Sequence, residues 1–165
     1  MLEIRNKPYI NRCASAKKKE QINMDKYINP LKSYLEKNEL SFDDVDFSCL
    51  QYDIVDEMEK DEVGFEITQD IFDLMEEYPL VEFGSPGALT HFIEGFYNDN
   101  QEQYQTILKK SVREKPSIHT LWLLNRVING TKGQIKAELT QIMKSIFEDN
   151  NLNEEIREVA GIFLE

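Results

Sequence analysis

Residues 83–130 read FGSPGALTHFIEGFYNDNQEQYQTILKKSVREKPSIHTLWLLNRVING, and three consecutive helices with marked ends can be drawn through them. Ser85 is placed to accept a hydrogen bond from a free amide at a helix start. Pro86 then follows at a first helical position, where its missing N–H costs nothing. Leu89, Phe92, Ile93 and Phe96 form one apolar stripe. Asn100 is placed to cap a second helix with Tyr104, Ile107, Leu108 and Val112 inward. Pro116-Ser117 ends it and starts a third, whose Leu121, Trp122, Leu124, Val127 and Ile128 run to a terminating Gly130. The stretch carries no catalytic motif. It specifies architecture, so function is to be sought on surfaces that it supports.

Outward from this stretch the helical pattern continues. Asn29-Pro30 repeats the cap-plus-proline signature ahead of Leu31, Tyr34 and Leu35. Ser41 to Asp44 has capping-box spacing, and Phe47, Leu50, Ile54 and Met58 predict a helix over roughly 43–60. The alternation of Val45, Phe47 and Cys49 is a weaker strand signal. Gly64 marks the break after that helix, and Thr68 is the expected cap of a helix carrying Ile71, Leu74, Met75 and Tyr78. After Gly130, a helix over roughly 132–148 carries Ile135, Leu139, Ile142, Met143, Ile146 and Phe147. Asn153 caps a last one with Ile156, Val159, Ala160 and Phe163 inward.

Strong strand candidates are lacking, so the expected class is all-α, with about seven or eight helices. Short turns make neighbours antiparallel. Helix starts at Pro86, Ile118 and Glu154 approximate a two-helix repeat, which predicts HEAT-like packing in the C-terminal half. The domain reading is one helical domain over 24–165 behind a basic extension over 1–23. That extension is open to three readings: a basic arm, a segment ahead of a start at Met24, or an arm folded back on the acidic stretch.

The formal net charge of −12 is unevenly distributed. Residues 1–23 carry +4, residues 24–100 carry −16, and residues 101–165 are neutral. Between 39 and 77 there are fifteen carboxylates and one base, Lys60. A phosphate backbone needs a basic face, so nucleic acid is not an expected ligand. Cys13 and Cys49 are too few for a disulfide framework and lack metal-ligand spacing. Neither a secretory signal nor a run of ~18 apolar residues is visible, so a cytoplasmic protein that engages no membrane is expected.

His91 and Glu94 share a helix face, but a di-metal bundle needs Glu-x-x-His twice, so a boundary pair is the better account. His119 has no paired Ser or Cys nucleophile and reads as a capping or packing residue. Asn125 is expected to bond a neighbouring loop's backbone, and Arg126 to meet a carboxylate of the acidic half. Phe83 to Gly87 lacks the Lys and Ser/Thr of a phosphate loop and reads as a turn. Trp122→Ala is expected to cost ~3–5 kcal/mol as a large core truncation.

The acidic run is the main candidate. No calcium-loop pattern, metal site or cofactor site is found in it, and no catalytic residues are assigned. As a docking surface for a basic protein it would use Asp43, Asp44, Asp46, Asp53, Asp56, Glu57, Glu59, Asp61 and Glu62. Tyr52, Phe42 and Phe65 are the possible aromatic anchors, Tyr52 being the one placed in the binding set.

FGSPGALTHFIEGFY followed by KPSIHTLWLLNRVING also resembles small helical immunity proteins of bacterial contact-dependent and polymorphic toxin systems. The likeness covers under a third of the chain. It rests on the Gly-Ser-Pro-Gly turn and the Asn-Arg helix end. The resemblance implies a cytoplasmic, non-enzymatic antidote that binds the C-terminal domain of a cognate toxin, often a nuclease, and is a monomer or weak dimer when free. The matched residues are structural, so no binding residues carry over. Two other readings stay open: a regulatory module for another basic protein, and a carboxylate-metal hydrolase using part of Asp53–Glu62.

Overall fold

A computed structural model of the chain describes residues 23–39 and 44–165. These form eight α-helices and one short 3-10 turn, with no strand among the described residues. In order they are α1 (Asp25–Lys37), α2 (Val45–Lys60), the 3-10 turn Phe65–Ile67, α3 (Thr68–Glu77), α4 (Ala88–Gly95), α5 (Gln101–Glu114), α6 (Ile118–Gly130), α7 (Gly133–Glu148) and α8 (Glu154–Ile162). The all-α class is as the periodicity predicts. Residues 1–22 of the basic extension, Cys13 among them, and Ser41, Phe42 and Asp43 lie outside the described residues.

Helix α6 is the centre. His119, Thr120, Leu121, Leu123, Leu124, Val127 and Ile128 are all buried on it, a spread too wide for one amphipathic stripe. It packs against α3, α5, α7 and α8. The last four helices stack in chain order, each on the next, with α5 also touching α7 and α6 touching α8. That is the HEAT-like arrangement. One buried apolar cluster runs from Tyr27 in α1 to Ala160 in α8.

Several helix ends differ from expectation, each for a local reason. Helix α1 begins at Asp25 and contains Pro30, which does not open it. An interior proline costs about 3 kcal/mol. Burying Tyr27 and Ile28 on the preceding turn returns about 1.5–3 kcal/mol each, enough to extend the helix past the proline. Ser85 does not cap α4. The Ser85–Pro86 peptide is cis, the Ser85 hydroxyl bonds Glu82, and Gly87 stands at the cap without a side-chain bond. Glycine is required at both ends of that turn. Gly84 has φ +97°, and a Cβ on Gly87 would lie 1.9 Å from the Phe83 carbonyl oxygen.

Thr68 is not the cap of α3 but its first residue. The 3-10 turn leads in ahead of it, and its buried hydroxyl has no partner among the described residues. Asn100 precedes α5, but its amide donates to the Phe96 carbonyl at 3.0 Å, tying down the end of α4 instead. Ser117 and Asn153 do cap α6 and α8. Ser117 forms a reciprocal capping box with Thr120.

Trp122 is half-buried, where full burial was expected. Its ring stacks on His119 at 5.6 Å, and the Arg126 guanidinium lies 4.7 Å from its centroid. Ile135 and Phe147, at the two ends of the α7 stripe, are likewise substantially exposed.

Candidate functional site

The acidic run becomes helix α2 and the turn that follows it. The inner face of α2 is Phe47, Gln51, Ile54, Val55 and Met58, all buried. The alternation that hinted at a strand is overridden, because only the helical period puts these five on one side. The helix packs on α1 and α4, which leaves its opposite face to solvent.

Its two ends are fastened by carboxylates. Asp44 caps the N-terminus by accepting from the Phe47 amide at 2.8 Å, and it also accepts from the Tyr34 hydroxyl at 2.9 Å. The Tyr34 and Phe47 rings stack beneath it at 5.4 Å. At the other end Asp61 accepts from Lys26 Nζ at 2.6 Å and from the Tyr27 hydroxyl at 2.7 Å. The Lys26 bond, then the Tyr27 bond, hold the Asp61 carboxyl below its ordinary range, and the same contact raises Lys26. Glu57 reaches Lys26 only at 4.0 Å. Asp44 and Asp61 therefore clamp α2 to α1.

Glu62 has a separate role. The Val63 amide donates to Met58 O at 2.9 Å and the Glu62 amide to Glu59 O at 3.1 Å, the paired bonds of a Schellman C-cap. Glu62 occupies its left-handed position, φ +53°, and Val63 packs back into the core beside Met58. The helix thus ends at Lys60, four residues before Gly64, the residue expected to break it. A non-glycine side chain in that conformation costs about 1–2 kcal/mol.

Between the clamped ends, Asp46, Asp53, Asp56 and Glu59 are exposed and form no ion pair among the described residues. Val45, Cys49, Tyr52, Asp56 and Glu59 succeed one another at spacings of four, three, four and three, so they share one ridge. Asp46, Asp53 and Glu57 share the adjacent ridge. Val45 is 70% exposed, Tyr52 is 54% exposed, and Cys49 is exposed with a free thiol. An apolar strip rimmed by carboxylates results. Tyr52 fits the anchor role expected of it. Phe65 does not, because it packs against the core with its ring 6.4 Å from Phe96. Val45 and Cys49 were missed as members of the strip. The four-three spacing into Tyr52 carried the signal.

The other candidates resolve as structural groups. Glu94 accepts two bonds from Arg126, at 2.5 and 2.7 Å, which is the expected pairing of Arg126 with the acidic half. His91 is exposed. Asn125 accepts from Asn129 within its own helix at 3.4 Å and makes none of the expected loop contacts. His119 is fully buried. Its Nδ1 accepts from the Phe83 amide at 3.2 Å, so Nε2 carries the proton toward Thr90 Oγ1 at 2.8 Å. Burial lowers its pKa to about 3, and it stays neutral near pH 7.

Among the described residues, no three His, Cys, Asp or Glu side chains converge in metal-binding geometry, and no helix is long and apolar enough to cross a membrane. No family model, no curated protein and no solved structure matches the chain.

Proposed function

We propose that the chain is an immunity protein, which binds a basic toxin domain through the outer face of α2 and so neutralises it. One observation carries the reading: Val45, Cys49 and Tyr52 form an exposed apolar strip inside a rim of carboxylates. Charge alone would steer encounter without giving residence, since exposed pairs contribute only about 0.2–1 kcal/mol each. A desolvated aromatic at the centre of a polar rim supplies the missing short-range contact. The face matches a nucleic-acid backbone in the sign of its charge, which suits a nuclease as the target. The sequence resemblance over residues 83–130 supports the same class.

The division of labour within the acidic set refines the binding residues. Asp46, Tyr52, Asp53, Asp56 and Glu59 contact the partner, with Glu57 at the margin. Asp44, Asp61 and Glu62 shape the helix that presents them. A regulatory module for another basic protein uses the same face and differs only in the partner. The hydrolase reading has no convergent donor set among the described residues to support it.

The test is protection. If the reading frame beside this gene encodes a large protein with a basic C-terminal domain, cells expressing that domain should survive when the chain is co-expressed. Asp46→Lys, Asp53→Lys and Asp56→Lys together should abolish survival while the helical circular-dichroism spectrum is kept. These three positions are chosen over Glu57 and Asp61 because they lie outside the Lys26 clamp. Survival with the triple variant would remove the acidic face from the account.

A further inference from the structure

A second concave site lies where the C-terminal ends of α4 and α6 meet α5. It encloses about 390 Å³ and is lined by Glu94, Tyr97, Asn98, Tyr104, Arg126 and Asn129, together with the last turn of α6. None of the α2 carboxylates lines it, so the inference drawn from it stands apart from the toxin-binding reading.

Several polar groups of this cleft keep open acceptor positions beside its donors, which are Arg126, Asn98 and the two tyrosine hydroxyls. Tyr104 is 1% exposed, yet its hydroxyl makes no hydrogen bond to any described residue. Burial first, and then the Glu94 carboxylate, hold that phenol above its ordinary range, so it stays neutral, able to accept at its lone pairs and to donate its O–H. Both Glu94 oxygens accept from Arg126, and each keeps a further lone pair. The Asn129 amide nitrogen is turned to Asn125, which leaves its oxygen as an acceptor. Two helix C-termini add their negative dipole ends at the same place. The one cation present, Arg126, is already matched by Glu94 and is drawn over the Trp122 ring. The half-buried Tyr97 ring, packed edge-on against Tyr104 at 5.2 Å, offers aromatic surface for a further positive group.

We infer that this cleft binds a monovalent organic cation rich in N–H donors, a guanidinium or primary ammonium group, with Tyr104, Asn129 and Glu94 as its acceptors. Such a group occurs on small free amines and on arginine or lysine side chains of another protein, and the experiment separates the two. The full chain is titrated with methylguanidinium, with a backbone-blocked arginine, and with methylurea, a neutral molecule of nearly the same shape. The readouts are emission from Trp122, the one tryptophan in the sequence, and amide NMR shifts at Asn98 and Asn129.

Both guanidinium probes should bind in the range of ~1–50 mM, with methylurea about tenfold weaker or worse. Blocked arginine binding more tightly than methylguanidinium supports a protein side chain as the source, and the reverse order supports a small amine. Tyr104→Phe, which keeps the ring, and the exposed Asn129→Ala should each weaken binding by about threefold to tenfold with the fold intact. The inference is overturned by equal affinity for methylurea, by no localised shift with either guanidinium probe, or by unchanged affinity in both variants.

Discussion

Two regions of this chain treat their polar groups in opposite ways. Around α6 nearly every one has a partner. His119 bonds Phe83 and Thr90, Ser117 and Thr120 cap each other, and Arg126 joins Glu94 in a two-point pair while stacking on Trp122. Along the middle of α2 the reverse holds, with Asp46, Asp53, Asp56 and Glu59 facing solvent beside Val45 and Tyr52. Partnered groups near a core hold a fold together, because leaving one of them buried and unmade costs about 1–3 kcal/mol. A ridge of unpartnered like charges adds nothing to the fold and destabilises it slightly through self-repulsion. The difference separates scaffold from working surface, and it predicts opposite responses to mutation.

The largest effect should come from His119. His119→Ala strands the Phe83 amide and the Thr90 hydroxyl in the core and removes the ring on which Trp122 stacks. Denaturant titration should show a loss of about 3–4 kcal/mol. His119 also sets a pH dependence. Its pKa is about 3 in the folded chain and near 6.5 when unfolded, so the unfolded state binds the extra proton. Its contribution is complete above pH ~6.5 and is lost as pH falls toward ~3, at a slope of up to ~1.4 kcal/mol per pH unit. His119→Asn, which retains an acceptor for Phe83 and a donor for Thr90, should remove most of that slope.

Next comes Trp122→Ala. Because the indole is half-buried, the loss should be about 2–3 kcal/mol, below the ~3–5 of a full core truncation. A larger loss would mean that Arg126 and its pair depend on the ring. Smaller, and opposite in sign, is Glu62→Gly. It relieves a left-handed side chain at φ +53° and should raise stability by about 0.5–1 kcal/mol, seen as a higher Tm. Smallest is the triple reversal of Asp46, Asp53 and Asp56, which should change stability by less than ~1 kcal/mol in either direction. A large destabilisation there would break the comparison by making the α2 ridge part of the scaffold.

Much of this fold was legible in the sequence because helix periodicity survives tertiary context. The stripes of α2 and α5, the Leu139–Ile146 part of the α7 stripe and the caps Ser117 and Asn153 stand where the spacing put them. The helix-end misses share one cause: packing competes with local cap chemistry and overrides it. Pro30 opens no helix because Tyr27 and Ile28 gain more by burial than the proline costs. Ser85 caps nothing because the close approach of Gly87 to Phe83 sets the turn. Leu123, outside the α6 stripe as drawn, is buried because α6 is covered on several sides, a fact of topology that no single helix reports.

For the candidate surface, composition located the charge but not its use. The sequence could not tell that Asp44 and Asp61 would be consumed as clamps by Tyr34, Tyr27 and Lys26, since those contacts span ten to thirty-five residues. The partners of His119 lie twenty-nine and thirty-six residues away and were equally out of reach.

The central claim is that the unpartnered ridge of α2 is what meets a basic partner. Its most direct test is the association of the full chain with a purified basic toxin domain, taken from a neighbouring reading frame where one encodes it, followed at ~50 and ~200 mM salt. The account predicts that the association rate falls by about tenfold or more across that range, and that the Asp46, Asp53 and Asp56 triple reversal eliminates binding at both. Equal affinity for the native chain and the triple variant, with no dependence on salt, would contradict it.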